Sequence, residues 1–226
     1  MTGLDRFLDT FVNLAVIAKY WPMVLDGLAL TIELALAVVA AGLPLGLALA
    51  LLRALQVRPL TWAIVAFADI LRALPPIVVV VLLFFALPSA GLKLSGYQAT
   101  WLSLALVLAA FAEEIFWAGI VATPKGQWDA ARSTGLGFAQ ALAWVILPQA
   151  LRMTIPPLTN RTIAVTKGTS LGVVVGVQEI LTASLTAMDF AGNASPLLLG
   201  SLAYVLLFTP VVSASRWVEG RFAWKR

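Results

Sequence analysis

Apolar residues run in long blocks along this chain, interrupted by short polar stretches. A helix that crosses a bilayer needs about 20 mostly apolar residues. Five blocks meet that length: 27–52, 62–87, 99–123, 157–181 and 196–215. The pattern predicts an all-α integral membrane protein of about five transmembrane helices, forming a single transmembrane domain over residues 1–226. The fourth block is the least apolar and the fifth carries no charge. Residues 124–152 are amphipathic, with three glycines, two prolines and several charges, and read as two short helices in a loop rather than a span. Before the first block, Phe7, Phe11, Leu14 and Ala15 recur at helical spacing, which suits a short helix lying in the membrane interface or a frayed tail.

Composition agrees with the pattern. The chain is 61% hydrophobic and 12% charged, whereas a soluble domain carries roughly a quarter charged residues. Its net charge is +4. The basic residues sit at the ends of apolar blocks, where they read as topology signals and not as a nucleic-acid surface. Arg53 and Arg58 lie between the first two blocks. Lys125, Arg132 and Arg152 follow the third, and Arg216, Arg221, Lys225 and Arg226 follow the fifth. The alternate connections carry Lys93 on one hand and only Asp189 on the other. The positive-inside rule makes the basic connections cytoplasmic, with the N-terminus outside and the C-terminus inside. Asp5, Arg6 and Asp9 precede any long apolar run, unlike a cleavable signal peptide.

Ionisable residues inside apolar blocks are costly and mark candidate functional sites. Arg72, Glu113, Glu114 and Lys167 each lie about ten residues from the cytoplasmic end of their block. At 1.5 Å per residue that is roughly 15 Å, near the midplane. Two acids and two bases there could pair with each other, or face a cavity in which an acid meets a substrate ammonium and a base its carboxylate. The fourth block adds Asn160, Arg161, Thr162, Thr166, Thr169 and Ser170, too polar to face lipid. It also holds Gly168, Gly172 and Gly176 at spacing four, and the first block holds Gly42 and Gly46. These spacings predict packing seams.

The loop carries a pattern of its own. Trp128-Asp129-Ala130-Ala131-Arg132-Ser133-Thr134-Gly135 is followed by nine residues and then Val145-Ile146-Leu147-Pro148. The two alanines permit a close approach, Gly135 breaks the helix, and Pro148 is expected to end the second segment. This stretch resembles the EAA loop of ABC importer permeases, E-A-A, three residues, G, nine residues, I-x-L-P, with Asp129 for Glu and Val145 for Ile. Further stretches resemble the polar amino-acid uptake subfamily: Glu114-Ile115-Phe116, Pro124 to Trp128, Ile146 to Arg152, Ile155 to Leu158, Lys167 with Thr169-Ser170-Leu171, Gly176-Val177, and Gly27-Leu28 with Thr31-Ile32. The likeness runs from about Gly27 to the end.

The resemblance implies a type I importer permease of five helices per subunit, working as a dimer of identical or related permeases in the bacterial cytoplasmic membrane. It implies a dimer of cytoplasmic ATPase subunits that hold ATP-Mg, with no cofactor on this chain, and a periplasmic or surface binding protein that delivers an amino acid. Asp129, Ala130, Ala131, Gly135, Leu147 and Pro148 would couple to the ATPase. Arg72, Glu114, Lys167, Thr169 and Ser170 would line the substrate path. Three departures bear on substrate: Lys167-Gly168-Thr169-Ser170 lacks the usual acid of Lys-Asp-Thr-Ser, Arg72-Ala73-Leu74-Pro75 replaces Arg-Gly-Thr-Pro, and Trp117 stands where an Arg often follows. The missing acid argues against a cationic substrate and fits the half of a heterodimer that touches substrate less.

Enzymatic chemistry has no foothold. The chain has no cysteine and no histidine, no phosphate-binding G-x-x-x-x-G-K-[ST] loop and no HExxH. It is expected to catalyse nothing by itself. The midplane charges alone would also suit an ion-coupled carrier or channel, which needs no such loop and often shows internal repeats absent here. A membrane anchor for a cytoplasmic complex would explain the loop but not the polar fourth block.

Overall fold

A computed structural model describes the backbone of residues 2–222, with every side chain among them except those of Glu219, Arg221 and Phe222. The topology charges Lys225 and Arg226, and the side chain of Arg221, lie outside the described residues. The described chain is helical without strands. In order, α1 is Gly3–Phe11, α2 Leu14–Ala54, α3 Arg58–Ala73 and α4 Pro76–Val81, the last continuing through a π turn Leu82–Ala86 and a 3-10 turn Leu87–Ala90. Then come α5 Gly96–Ala122, α6 Lys125–Ser133, α7 Phe138–Ala141, a π turn Leu142–Ile146 and α8 Leu147–Thr166. A 3-10 segment Lys167–Val175, α9 Ile180–Ala191 and α10 Ser195–Phe222 complete it. Among the described residues, four helical runs are long and apolar enough to cross a membrane: Gly3–Ala54, Gly96–Ala122, Phe138–Val175 and Ser195–Val218. The broken pair of α3 with 76–90 makes a fifth when counted as one span.

The elements depart from the hydropathy blocks where hydropathy and helicity are different questions. The second block is broken at Leu74-Pro75. Leu74 is extended, at φ −81 and ψ 134, because a residue before proline is pushed out of the α region. The expected fourth span, 157–181, falls on the end of α8, the 3-10 segment and the entry to α9, while the helical run itself starts at Phe138. Pro148 therefore does not end the loop's second segment. It sits in the first turn of α8, directly after the π turn Leu142–Ile146. A proline lacks the N–H of an ordinary helix bond and crowds the preceding turn, and a widened π turn accommodates both defects.

The chain folds as two compact units. One holds the chain up to Val38, Pro76–Leu104 and Thr166–Val212; the other holds Val39–Pro75, Ala105–Val165 and the chain from Ser213 on. In the first unit, Val24, Ile180 and Ala203 form a buried core with Leu28, Leu199, Tyr204 and Leu207 around it. α2 and the start of α9 approach so closely at Gly27 that a Cβ would stand 2.9 Å from Ala183 Cβ and 3.0 Å from the Glu179 carbonyl oxygen. α1 has a capping box, with Thr2 Oγ accepting from Asp5 N and Asp5 accepting from Thr2 N. Its Leu4, Phe7, Leu8 and Phe11 are exposed. It is tied to the α9–α10 turn by Asn193 Nδ2 donating to Asp9 O at 2.8 Å and by Asn13 N donating to Ser195 Oγ at 2.9 Å.

The expected glycine seam of the fourth block is only partly realised. Gly168 and Gly172 do meet neighbours, but Gly176 has φ +74 and nothing within 4 Å of a built Cβ. The segment is a 3-10 helix of three residues per turn, so spacing four does not stay on one face. In the second unit the seam is real. A Cβ at Gly46 would lie 2.6 Å from Ala112 Cβ, and one at Gly42 2.9 Å from Leu108 Cβ. Ala50, Ala112 and Phe116 are buried there, beside a cluster of Ala54, Ile120, Leu142, Ile146 and Ala150.

Candidate functional site

The second unit holds the loop and a charged network. α6 rests on the unit through Ala131, which is 5% exposed, and through Trp128, whose ring stacks on Phe138 at 5.4 Å and 19°. Trp128, Phe138 and Val145 pack against the Ile120–Leu142–Ile146 cluster. The other side of α6 is open: Lys125, Gly126, Asp129, Ala130, Arg132 and Ser133 are exposed. Thr134 Oγ donates to Ala131 O at 2.7 Å, and Gly135 N donates to Arg132 O at 3.0 Å with φ +87 at the glycine. That left-handed turn costs a residue with a Cβ about 1–2 kcal/mol and glycine nothing. Gln140 then caps the next helix through Gly137 N at 2.9 Å, and Gln149 Nε2 reaches back to Gln127 Oε1 at 3.2 Å. Of the six residues expected to couple, Asp129, Ala130, Gly135 and Pro148 are exposed, Leu147 is half-buried, and Ala131 is buried against the unit.

Glu113 and Glu114 meet two arginines in the same unit. Arg53 Nη1 lies 3.1 Å from Glu113 Oε1 and 3.3 Å from Glu114 Oε2. Arg72 Nη1 lies 3.3 Å from the same Glu114 oxygen and 3.6 Å from Asp69 Oδ1 one turn away. Glu113 is wholly buried, Arg53 is 14% exposed and Glu114 42%. Aromatic faces on α5 complete the surroundings. Trp117 lies 4.7 Å from the Arg53 guanidinium, and Phe111 lies 3.9 Å from that of Arg161 and 5.8 Å from that of Arg72. Positions 111, 114 and 117 share a face at spacing three, which places Glu114 between two rings that each hold an arginine. A buried carboxylate is tolerated when paired this way.

The remaining path candidates lie in the first unit. Lys167 is exposed, its ammonium 5.6 Å from the Phe208 ring centroid, and it makes no ion pair among the described residues. Thr169 is wholly buried and donates to Thr166 O at 3.0 Å. Ser170, half-buried, donates to Lys167 O at 3.1 Å. Arg72 and Glu114 are thus brought into direct contact, while Lys167, Thr169 and Ser170 form a separate local group.

A sequence profile of the family described as binding-protein-dependent transport system inner membrane component matches residues 42–224. The chain belongs to that family. It is a membrane-embedded transport subunit and not an enzyme in itself. Among similar proteins, the "probable glutamine ABC transporter permease protein GlnM" of Bacillus subtilis (strain 168) is 33% identical over 93% of this chain and 98% of its own length. The L-cystine transport system permease protein TcyB of the same organism is 35% identical over 72% of this chain and 69% of its own length. A solved structure described as an amino acid ABC transporter with histidines superposes with TM-score 0.85 at 26% identity, covering 93% of this chain and 99% of that one. An inward-facing MetNI methionine ABC transporter shares the fold, with TM-score 0.59 at 23% identity over 92% of this chain and 99% of that one.

Two elements of this transport subunit were hidden from its sequence. Arg53 reads as a topology charge at the end of an apolar block, yet it is the main partner of Glu113. Glu179 reads as the unremarked edge of a block, yet it is fully buried and caps α9. Its carboxylate accepts from Leu181 N at 3.1 Å, Thr182 N at 3.0 Å, Thr182 Oγ at 3.2 Å and the Tyr204 hydroxyl. Thr31 Oγ accepts from Ile180 N at 3.2 Å beside it. The one available signal was Glu179 followed by Thr182, an acid and a hydroxyl three residues apart at a helix start.

Proposed function

We propose that the subunit carries amino acids inward across the bacterial cytoplasmic membrane in an ATP-driven importer. The names of its relatives support this reading, since they are permeases for glutamine, cystine and arginine. The observation that carries it is the α6 loop. One side is anchored by Ala131, Trp128 and Phe138, and the other offers Asp129 and Ala130 to a partner. A dimer of ATPase subunits, holding ATP-Mg, docks there, and Asp129, Ala130, Ala131, Gly135, Leu147 and Pro148 transmit its movement. A binding protein delivers the amino acid on the opposite side, with the N-terminus outside and the C-terminus in the cytoplasm. The chain acts as one permease domain beside a second permease, identical or related.

Arg72, Glu114, Lys167, Thr169 and Ser170 line the path. Glu114 offers a part-exposed carboxylate to a substrate ammonium, and Lys167, with no ion-pair partner among the described residues, offers its ammonium to a substrate carboxylate. Arg72 already shares the Glu114 oxygen, so a substrate ammonium competes with it there. Gly168 leaves no acid at that position for a cationic side chain, which favours neutral amino acids. The test is uptake into proteoliposomes containing this chain with its ATPase, second permease and binding protein. Accumulation of a neutral amino acid that requires ATP supports the reading; uptake driven by an ion gradient without ATP sinks it in favour of a carrier.

A further inference from the structure

The tip between α2 and α3 carries features that the transport reading does not use. A cavity of about 250 Å³ opens there, lined by Arg53, Gln56, Arg58, Thr61, Trp62 and Trp117. Its walls are rich in hydrogen-bond donors. Among the described residues, the Arg58 guanidinium, the Gln56 side-chain amide, the Thr61 hydroxyl and the indole N–H groups of Trp62 and Trp117 have no protein hydrogen-bond partner, while the Gln56 backbone N–H donates to Arg53 O at 3.1 Å. Arg53 uses Nη1 on Glu113 and Glu114, while its buried Nε has none. Arg58 makes no ion pair among these residues, so its charge is uncompensated, unlike that of Arg53.

Gln56 is the one non-glycine residue at positive φ among the described residues, at φ 58. Glycine is the low-cost choice for a left-handed residue just past a helix end. The chain keeps a polar side chain in that strained position, on the cavity wall, which points to a use for it. Apolar side chains adjacent to the lining residues in the chain are exposed: Leu52 at 41%, Leu55 at 49% and Val57 at 48%, as is the lining residue Trp62 at 74%. Bases and donors beside exposed apolar side chains at the end of a spanning helix match an amphiphile with an anionic head.

We propose that this cavity binds the phosphate headgroup of an anionic phospholipid. Arg58 supplies the charge. Gln56, Thr61 and the indoles of Trp62 and Trp117 donate to the phosphate and the linker oxygens. Leu55, Val57 and the Trp62 ring hold the start of the acyl chains. A free phosphate shares the headgroup chemistry, but it would leave Leu55, Val57 and the Trp62 ring uncovered.

The test is lipid retention by the purified transporter complex in native mass spectrometry, with phosphatidylglycerol and phosphatidylcholine offered in equal amounts. The wild type should hold phosphatidylglycerol about fivefold more readily than phosphatidylcholine, the effect of one arginine at an anionic headgroup. Arg58→Ala should abolish that preference, Arg58→Lys should keep most of it, and Gln56→Gly should weaken it. Millimolar inorganic phosphate should leave the lipid in place. A parallel measurement needs no charge-removing variant. Brominated phosphatidylglycerol should quench tryptophan fluorescence more than brominated phosphatidylcholine, and Trp62→Phe should reduce the difference. Equal retention of both lipids, retention unchanged by Arg58→Ala, or displacement by inorganic phosphate would each overturn the assignment, the last in favour of a free-anion site.

Discussion

Each compact unit buries a carboxylate, and the two satisfy it by opposite means. Glu113 in the second unit is met by a cation, the Arg53 guanidinium at 3.1 Å, with Trp117 behind it. Glu179 in the first unit is met, among the described residues, only by neutral donors: two backbone N–H groups, one threonine hydroxyl and one tyrosine hydroxyl. Charge pairing is strong but divisible, because Arg53 and Glu114 each have a second partner to turn to. The neutral donors around this helix cap come from α9 itself and from Tyr204, so they fix the start of α9 against α10. The first arrangement suits a region that exchanges partners during a cycle, and the second suits a region that must hold its shape.

The sharpest way to break this comparison is to strip the cation. Arg53→Ala leaves Glu113 buried without a counter-charge, which should cost about 3–5 kcal/mol, read as a lower unfolding midpoint in detergent. Adding Glu113→Gln should restore part of that loss, because the uncompensated charge is then gone. An Arg53→Ala variant as stable as the parent would show that water or lipid already screens Glu113.

Removing a neutral donor should do less. Tyr204→Phe takes one hydrogen bond from a charged acceptor and should cost about 1.5–3 kcal/mol in the same assay. Unlike Arg53→Ala, it should not be rescued by neutralising the acid, since Glu179→Gln also disturbs the cap of α9. Rescue by Glu179→Gln would mean that the two units differ less than their geometry indicates.

The loop should respond in coupling before stability. Gly135→Val puts a β-branched residue at φ +87, a strain of about 1–2 kcal/mol confined to an exposed turn. The unfolding midpoint should fall slightly while stimulation of the partner ATPase is lost. Smallest of all, Phe138→Leu removes the stacked ring on Trp128, worth about 0.5–1.5 kcal/mol, and should loosen α6 without abolishing coupling.

What could be read from the sequence follows the same division. Spanning helices announce themselves because lipid selects composition over some 20 residues, so α2, α5 and α10 stand out from their neighbours. The turn at Gly135 was legible because one residue type at one spacing meets its backbone requirement. The break at Leu74-Pro75 was not, since those residues are as apolar as the helices around them. Nor was the passage of the helical run through Pro148, which follows a π turn that no local pattern marks, or through Pro156 and Pro157 inside α8. The acids Glu113 and Glu114 could be flagged from their cost in an apolar block. Their partner Arg53 comes from another helix, and a residue at a span edge gives no sign that it turns inward. Glu179 is half legible: Thr182, three residues on, is a local cap signal, while Tyr204 becomes a neighbour only when α9 and α10 pack.

The central claim is that this subunit imports amino acids by coupling to an ATPase through α6. The most direct test compares parent and Gly135→Val complexes, reconstituted with ATPase, second permease and binding protein, for ATP-dependent uptake of a neutral amino acid. The account predicts uptake by the parent, and from the variant an assembled complex that hydrolyses ATP without binding-protein stimulation and accumulates nothing. Undiminished uptake by the variant, or uptake by the parent without ATP, would contradict it.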